Sequence, residues 1–271
     1  MKERKQNLHT HSRFCDGKDT PEELVLKALE KGFTSLGFSS HIGAPNVKVW
    51  GAVEDLAGYK AEIERLKIKY KEKIRLFLGA EFDYYTEEEP SQFDYVIGSV
   101  HQTEINGETV YFDHDMELAK KQLLEHFGGD WKAYIKEYYQ KVCELPKRFS
   151  FNVVGHFDVI SKFCIKGRLF DDQDEFYKKT ALEALHTVAE SKKIFEINTG
   201  VMARGYRANP YPAAFLLKEL KTLGGEVVFG SDCHNKELLD YGFEEAKAIL
   251  RSVGFTHTLY FNGKNFEENS L

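Results

Sequence analysis

The chain has 271 residues, 42% of them hydrophobic and 14% aromatic, so it can bury a sizeable core and intrinsic disorder is excluded. This length allows one large α/β barrel or two smaller domains. The formal net charge is −6, and both signs are mixed along the chain, so no basic stripe is present to bind a phosphate backbone. We therefore do not expect a long nucleic acid as partner.

The N-terminal segment is charged and lacks the apolar stretch of a signal peptide, and no apolar run reaches membrane-spanning length. We therefore expect a cytoplasmic protein without a membrane partner. The four cysteines form no CxxC pair, so they are expected to be reduced thiols.

Short runs rich in β-branched and aromatic residues alternate with longer amphipathic segments, which is typical of βα units around a parallel sheet. Seven runs predict strands, and an eighth run is weaker. In chain order they are residues 7–12, 35–41, 74–84, 94–101, 151–159, 194–200, 226–234 and, for the weaker run, 258–263.

The first predicted helix has a complete start signal, because Thr20 can cap it, Pro21 takes the first helical position and Glu23 completes a capping box. Gly32 can end it. Further helices are predicted over residues 55–70, 115–127, 131–145, 174–192, 212–224 and 236–254. No linker divides the chain, so residues 1–271 are predicted to form one barrel-like α/β domain.

The longest insertion, residues 102–131, follows the fourth strand. Its stretch Val110–Phe112 is expected either to line a pocket or to pack on the rim of the barrel.

Six of the ten histidines lie at or near the C-terminal ends of predicted strands, where the active site of a parallel α/β barrel is built. These are His9, His11, His41, His101, His156 and His234. The first two are two residues apart in an extended segment, so their rings point to the same side. Ordinary surface or packing positions are expected for His114, His126, His186 and His257.

Three carboxylates, Asp16, Glu81 and Asp232, accompany these six histidines. Packing gives no reason to crowd titratable groups at one end of a barrel, whereas metal binding requires it. Nitrogen and oxygen ligands without thiolates suit Zn, Mn or Fe. Cys15 and Cys233 flank ligands, and neutral thiols that pack the floor of the site are favoured over the alternative of thiolate ligands. Nine ligands exceed the need of one ion and, with one bridging carboxylate, fit three divalent ions. Their charge would exceed that of the three acids by roughly three units, which matches a phosphate dianion plus one hydroxide.

The same motifs occur in the order seen in the PHP (polymerase and histidinol phosphatase) superfamily, which the chain resembles from residue 8 to 234. The motifs are His9-Thr-His11, Asp16-Gly17, His41 after SLGFSS, Glu81 in LGAEFDY, His101 in VIGSVH, His156-Phe-Asp158 and Asp232-Cys-His234. Within that superfamily the chain is most similar to the monofunctional histidinol-phosphate phosphatases, in the stretches LHTHSRFCDG, FDYVIGSVH and EINTGVMARGYRANPYP.

This resemblance implies a distorted (β/α)7 TIM-like barrel with parallel strands and a trinuclear metal site at their C-terminal ends. It assigns one metal to His9, His11, Glu81 and Asp232, a second to Glu81, His101 and His156, and a third to Asp16, His41 and His234. Some relatives have histidine in place of Asp16, in a loop one residue longer, so this chain carries extra negative charge at the third site.

The resemblance further implies hydrolysis of L-histidinol phosphate to L-histidinol and phosphate, a step of histidine biosynthesis. A metal-bound hydroxide would attack phosphorus in line. The leaving-group acid stays open among Asp16, Asp232 and His234.

Arginines on loops at the same end of the barrel are expected to bind the phosphate, because their planar donors match its oxygens. These are Arg168, Arg204 and Arg207. The amino group of histidinol calls for an acidic pocket, and Glu108, Asp113 and Asp115 are candidates by location.

Two other readings remain open. One is another PHP phosphoesterase, acting on a general small phosphomonoester, a phosphotyrosine or a nucleic-acid end. The other is a noncatalytic, metal-stabilised module.

Overall fold

Strands and helices alternate through the described part of the chain, residues 4–166 and 168–271 of a computed structural model. The elements before the insertion are β1 (Gln6–Asn7), α1 (Pro21–Glu30), β2 (Ser35–Phe38), β3 (His41–Ile42), α2 (Leu56–Tyr70), β4 (Arg75–Asp83) and β5 (Tyr95–Ser99). The insertion contains β6 (Gln102–Ile105), β7 (Glu108–Tyr111) and α3 (Met116–Phe127). After it come α4 (Trp131–Arg148), β8 (Val153–Val154), α5 (Glu175–Ala189), β9 (Ile194–Asn198), α6 (Gly200–Ala203), α7 (Ala214–Thr222), β10 (Val227–Gly230), α8 (Phe243–Ser252), β11 (His257–Phe261) and β12 (Phe266–Ser270).

Seven of the strands form one parallel sheet in the order β1-β2-β4-β5-β8-β9-β10, and the short β3 extends the pairing with β4. A parallel bridge between Thr10 and Cys233 joins the first strand to the last, and the His11 N–H donates to the Cys233 carbonyl at 3.0 Å. The sheet is thus a nearly closed barrel of seven parallel strands with helices around it, and the predicted fold class is confirmed. The number of domains in the chain stays a prediction.

The start of α1 follows the predicted capping box. The Thr20 hydroxyl accepts a hydrogen bond from the Glu23 N–H at 3.3 Å, and the Glu23 carboxylate accepts one from the Thr20 N–H at 2.9 Å. The helix ends at Glu30, and Gly32 follows with φ +74°, a left-handed conformation that glycine adopts without strain.

Two predicted elements differ in the structure. The weak eighth strand, β11, pairs antiparallel with β12 in a separate hairpin, so it does not belong to the barrel. The helix predicted over residues 236–254 is divided into a 3₁₀ turn at Lys236–Leu238 and α8. Gly242 separates them with φ +75°, a conformation that a continuous right-handed helix excludes.

No helix within the described ranges is long and apolar enough to cross a membrane. The four cysteines are free thiols, as predicted.

Tyr95 of β5 fills the barrel interior below the site. Its hydroxyl donates to the carbonyl of Leu8 and lies 3.3 Å from that of Phe38. Its ring passes so close to Gly37 and Gly79 that a Cβ atom on Gly79 would lie 2.2 Å from the Tyr95 Cζ atom. These two strand positions therefore have to be glycine for the tyrosine to reach across the barrel.

We expect Gly79→Ala to lower the free energy of unfolding by about 1–3 kcal/mol, since the added methyl group overpacks the interior against Tyr95. Urea denaturation followed by circular dichroism measures the change. Gly43→Ala is the matched control, because its Cβ atom would meet only the Ala52 Cβ at 3.6 Å, an ordinary contact. Equal stability of the two variants would contradict this account of the interior.

Candidate metal centre

The strand ends bring all nine predicted ligands into one cluster. Each has a side-chain nitrogen or oxygen within 3.2 Å of another member. His9, His11 and Asp16 follow β1, His41 begins β3, Glu81 lies in β4, His101 follows β5, His156 follows β8, and Asp232 and His234 follow β10.

Glu81 lies at the centre of this cluster and is 1% exposed. Its Oε1 atom is 2.9 Å from His156 Nε2 and 3.2 Å from His101 Nε2. Its Oε2 atom is 3.0 Å from His41 Nδ1 and 3.1 Å from His9 Nε2. Burial alone would raise the pKa of Glu81, but the surrounding imidazoles hold it well below its usual range.

Asp16 and Asp232 belong to the outer part of the cluster. Asp16 Oδ2 is 3.1 Å from His234 Nε2, and Asp232 Oδ1 is 3.2 Å from His11 Nε2. Asp16 and His234 are about one quarter exposed, whereas His11 is fully buried, so the cluster opens to solvent on the Asp16 side.

Three overlapping groups have ligand atoms that all lie within 4.8 Å of one another, close enough to hold a metal ion. They are His11, Asp16, His41 and His234; His9, His11 and Asp232; and His41, Glu81 and His101. His11 and His41 each belong to two groups, so these sets do not coincide with the ligand partition that the resemblance implies.

The nitrogen and oxygen atoms of the cluster face one another with few well-aligned hydrogen bonds, an arrangement that suits the binding of divalent cations. His11 Nε2 is buried, and although Asp232 Oδ1 lies 3.2 Å away, the two atoms are not aligned for a hydrogen bond. Burial, followed by the neighbouring His234 and His41, lowers the pKa of His11 to about 3, so the ring is neutral and carries a lone pair. The Nε2 atoms of His101 and His156 lie 3.1 Å apart and face the same carboxylate oxygen, an arrangement that a bound cation stabilises.

Glu196 of β9, which the sequence analysis missed, fixes the orientation of two histidines. Its Oε1 atom is 2.6 Å from His9 Nδ1, and its Oε2 atom accepts hydrogen bonds from the His156 N–H and the Asn198 amide, both at 2.9 Å. A carboxylate on Nδ1 directs the other ring nitrogen, Nε2, toward a metal. The available signal was the charge inside the otherwise apolar run IFEIN, since a strand of a parallel barrel has no solvent-facing side.

Asp83 plays a similar part beside His101. Its Oδ2 atom accepts a hydrogen bond from the His101 N–H at 3.0 Å and is 3.4 Å from His101 Nδ1. Asp83 is two residues after Glu81 in β4, so both acids point to the same face of the strand. The sequence analysis missed this residue too.

A cavity of about 180 Å³ opens beside the cluster. Its cluster side contains Asp16, His41, His101, His156 and Asp232, and its other walls contain Val49, Trp50, Gln102, Tyr111, Asp113, His114, Lys162 and Arg204. Of the three candidates for the leaving-group acid, the cavity lining thus includes Asp16 and Asp232, and His234 contacts Asp16.

Arg204 is the predicted phosphate contact that the structure brings to this cavity. Its Nη2 atom is 2.8 Å from Asp232 Oδ2, which orients the guanidinium at the edge of the cluster. Lys162 also lines the cavity, donates to the Asp113 carbonyl and is largely buried, so that burial lowers its pKa. Lys162 was not predicted from the sequence, because the prediction of phosphate contacts rested on the planar donors of arginine.

Arg207 and Arg168, the other two predicted phosphate contacts, are not among the residues that line this cavity in the described part of the chain, and their role stays a prediction. Arg207 is 8% exposed and engaged with neighbouring loops, where Nη1 donates to the Ser161 hydroxyl at 2.6 Å and Nη2 is 3.3 Å from Asp172. Arg168, which follows the gap in the described residues at 167, is exposed.

The insertion contributes to the cavity in two ways. Val110 and Phe112 are fully buried in the core, whereas Tyr111 between them lines the cavity, so the expectation of a pocket-lining stretch holds for Tyr111 alone. Of the acidic candidates, Asp113 lines the cavity. Asp115 instead caps α3, and Glu108 lies 3.5 Å from His126 at the surface.

Histidines outside the cluster occupy two kinds of position. His126, His186 and His257 form ordinary pairs with Glu108, Glu219 and Glu226, as expected. His114 differs from the expectation, because it lines the cavity and its ring lies edge-on to Trp50 with the centroids 4.2 Å apart.

The two cysteines next to the cluster are neutral thiols. Burial raises the pKa of Cys15 to about 11 and that of Cys233 to about 12. Both values lie well above neutral pH, which is consistent with a site built from nitrogen and oxygen ligands.

Comparisons with known proteins agree with this geometry. A family model described as "PHP domain" matches residues 7–200. The Bacillus subtilis histidinol-phosphatase is 27% identical over 89% of this chain and 97% of its own length, and that of Lactococcus lactis is 26% identical over 98% and 97%. The crystal structure of the Lactococcus lactis histidinol phosphate phosphatase, complexed with zinc, L-histidinol and phosphate, superposes with a TM-score of 0.72 at 23% identity, covering 97% of this chain and 99% of that one.

We expect Glu196→Gln to weaken metal binding about tenfold to a hundredfold, because the amide replaces the carboxylate that orients His9 and His156. Titration of the metal-free protein with zinc, followed by calorimetry, measures the change. Glu219→Gln is the control, since Glu219 contacts the exposed His186 far from the cluster. Equal zinc affinity in the two variants would show that Glu196 has no supporting role.

Proposed function

Because the chain belongs to the PHP domain family, we propose that it is a metal-dependent phosphatase that hydrolyses L-histidinol phosphate to L-histidinol and phosphate, a step of histidine biosynthesis. The observation that carries the proposal is the position of Arg204 and Lys162 in one small cavity with the cluster of metal-binding residues. The names of the full-length relatives support the choice of substrate.

Three divalent ions, Zn, Fe or Mn, are proposed to bind the nine residues of the cluster. His9, His11, Glu81 and Asp232 would hold the first, Glu81, His101 and His156 the second, and Asp16, His41 and His234 the third. When bound, such ions supply a nucleophilic water at neutral pH and stabilise negative charge on a phosphoryl group. The buried His11 Nε2 atom and the facing nitrogens of His101 and His156 support metal binding by this cluster, and the partition among three ions follows the family resemblance.

Arg204 and Lys162 are proposed to bind the phosphate. The guanidinium of Arg204 uses two N–H groups on Asp232, at 2.8 Å and 3.2 Å, which leaves others to donate to a phosphate oxygen. Lys162 adds a second positive charge whose burial strengthens its attraction for an anion. Both side chains bind the negative charge of the phosphoryl group, which is present in the substrate and in the transition state.

Asp113 is proposed to bind the amino group of the substrate. It lines the cavity, and its carboxylate is 3.7 Å from Lys162 Nζ. Burial would raise the pKa of Asp113, but Lys162 and the histidines of the cluster hold it below its usual value, so the group is a carboxylate at neutral pH.

The decisive experiment is phosphate release from L-histidinol phosphate, measured beside glycerol phosphate, phosphotyrosine and a 3′-phosphorylated dinucleotide. We expect L-histidinol phosphate to have the highest kcat/KM, by about a hundredfold, and a chelator to abolish turnover. A higher value for another substrate would replace the proposal by a broader or different phosphoesterase activity. Turnover that persists in the chelator would remove the metal mechanism.

The same assay separates the arginines. Arg204→Ala is expected to lower kcat/KM about a hundredfold or more, because it removes charge-assisted donors from the phosphate. Arg65→Ala is the matched comparison, since Arg65 lies on α2 with its side chain about half exposed and paired with Glu22 and Glu62. We expect its kcat/KM to stay within about twofold of that of the unmodified protein.

We expect metal analysis of the purified protein to find about three divalent ions per chain, as nine ligands with one bridging carboxylate require. His234→Ala should lose about one of them, because His234 and Asp16 hold the most exposed ion. His186→Ala, a helix histidine paired with Glu219, should retain all of them. Inductively coupled plasma mass spectrometry gives the counts. An unchanged count in His234→Ala would contradict the proposed third site.

A further inference from the structure

Gln102 is a buried polar side chain of the cavity wall whose hydrogen-bonding groups have no partner among the described residues. It is the first residue of β6, directly after His101, and is 0% exposed. Neither its amide nitrogen nor its amide oxygen makes a hydrogen bond within the described structure. Buried amides in proteins are nearly always hydrogen-bonded, because an unpaired one loses its interactions with water.

A second glutamine of the same insertion shows the contrast. Gln122 of α3 is also buried, but its Oε1 atom accepts a hydrogen bond from the Tyr111 N–H and its Nε2 atom donates to the Thr109 carbonyl, both at 2.9 Å. The fold thus satisfies the glutamine that holds the hairpin together. The glutamine that lines the cavity is left with both a donor and an acceptor.

Aromatic rings share the cavity wall with Gln102. The His114 ring contacts both Trp50 and Tyr111, with ring centroids 4.2 Å and 5.6 Å away. Tyr111 is also the residue opposite Gln102 in the β6–β7 hairpin, so the two positions are fixed relative to each other by backbone pairing. Flat aromatic rings that share a cavity wall with an unpaired amide suit a ligand group that is itself flat and carries hydrogen-bonding atoms.

We propose that Gln102 is a specificity-determining residue that hydrogen-bonds the heteroaromatic ring of the alcohol released by this enzyme. The proposal rests on the proposed function, for which that ring is imidazole. A neutral imidazole has one N–H donor and one acceptor nitrogen, and a primary amide can pair with either. A hydrocarbon ring in the same place would leave the amide buried without partners, so the cavity discriminates against it.

The test compares L-histidinol phosphate with L-phenylalaninol phosphate, which keeps the amine and the phosphate but replaces imidazole by phenyl. We expect the unmodified protein to prefer the imidazole substrate. Gln102→Met, close in volume but apolar, should reduce the ratio of the two kcat/KM values about tenfold to a hundredfold. The loss should fall on L-histidinol phosphate, with the phenyl substrate unchanged or faster.

Gln122→Met is the control, because it removes an amide of the same insertion that already has partners. It should lower the melting temperature and leave the substrate ratio unchanged. If Gln102→Met lowers both substrates equally or leaves their ratio unchanged, the inference is wrong and the amide serves the structure alone.

A measurement on the unmodified protein covers the case in which Gln102→Met does not fold. L-Histidinol should inhibit the reaction at a concentration about tenfold or more below that of L-phenylalaninol. Equal inhibition would overturn the role of Gln102 while leaving the phosphatase activity intact. Absence of turnover with L-histidinol phosphate would instead overturn the proposed function, and this inference with it.

Discussion

The structure of the site depends on one buried carboxylate. Glu81 is removed from water, and burying an ionised carboxylate is costly unless positive or hydrogen-bonding groups surround it. Five imidazoles lie within 4 Å of it. Two come from the segment after β1, and the other three come from three different segments of the chain. The five are those of His9, His11, His41, His101 and His156. Only a closed parallel barrel brings so many strand ends around one point, so the fold and the site have a common requirement.

The residues around the cluster complete its charge balance. Counting Glu196 and Asp83 with the ligands lowers by two the excess of positive charge that three divalent ions would give. Arg204 and Lys162 add two charges, and Asp113 of the cavity wall removes one. Space for this layer is provided by glycine, since a Cβ atom on Gly230 would lie 1.9 Å from Glu196 Oε1. The net charge of the whole chain, −6, therefore says little about the field that an anion meets inside the cavity.

The sequence predicted the seven barrel strands and the clustering of the nine residues, because strand ends of a parallel barrel converge whatever the loops do. The sequence was less informative where the role of a side chain depends on its hydrogen-bond and ion-pair partners in the folded protein. Arg207 and Arg204 look alike in the sequence, yet one is engaged with Ser161 and the other lines the cavity. Gln102 and Gln122 are both buried glutamines of the insertion, and the lack of hydrogen-bond partners in the described structure, which sets Gln102 apart, is not visible in the sequence. The helix over residues 236–254 was predicted as continuous because apolar periodicity runs through Gly242, whose backbone conformation interrupts it.

The bridge between Thr10 and Cys233 has a consequence for how the protein matures. Asn7 and Ser231, which the closure brings within 2.6 Å of each other, are separated by 224 residues. During translation, His9 and His11 leave the ribosome long before Asp232 and His234 are made. Contacts of such sequence separation form late in folding, after the intervening chain is ordered. Acquisition of the full complement of ions is therefore coupled to closure of the barrel, and a nascent chain holds an incomplete chelator until its last barrel strand is in place.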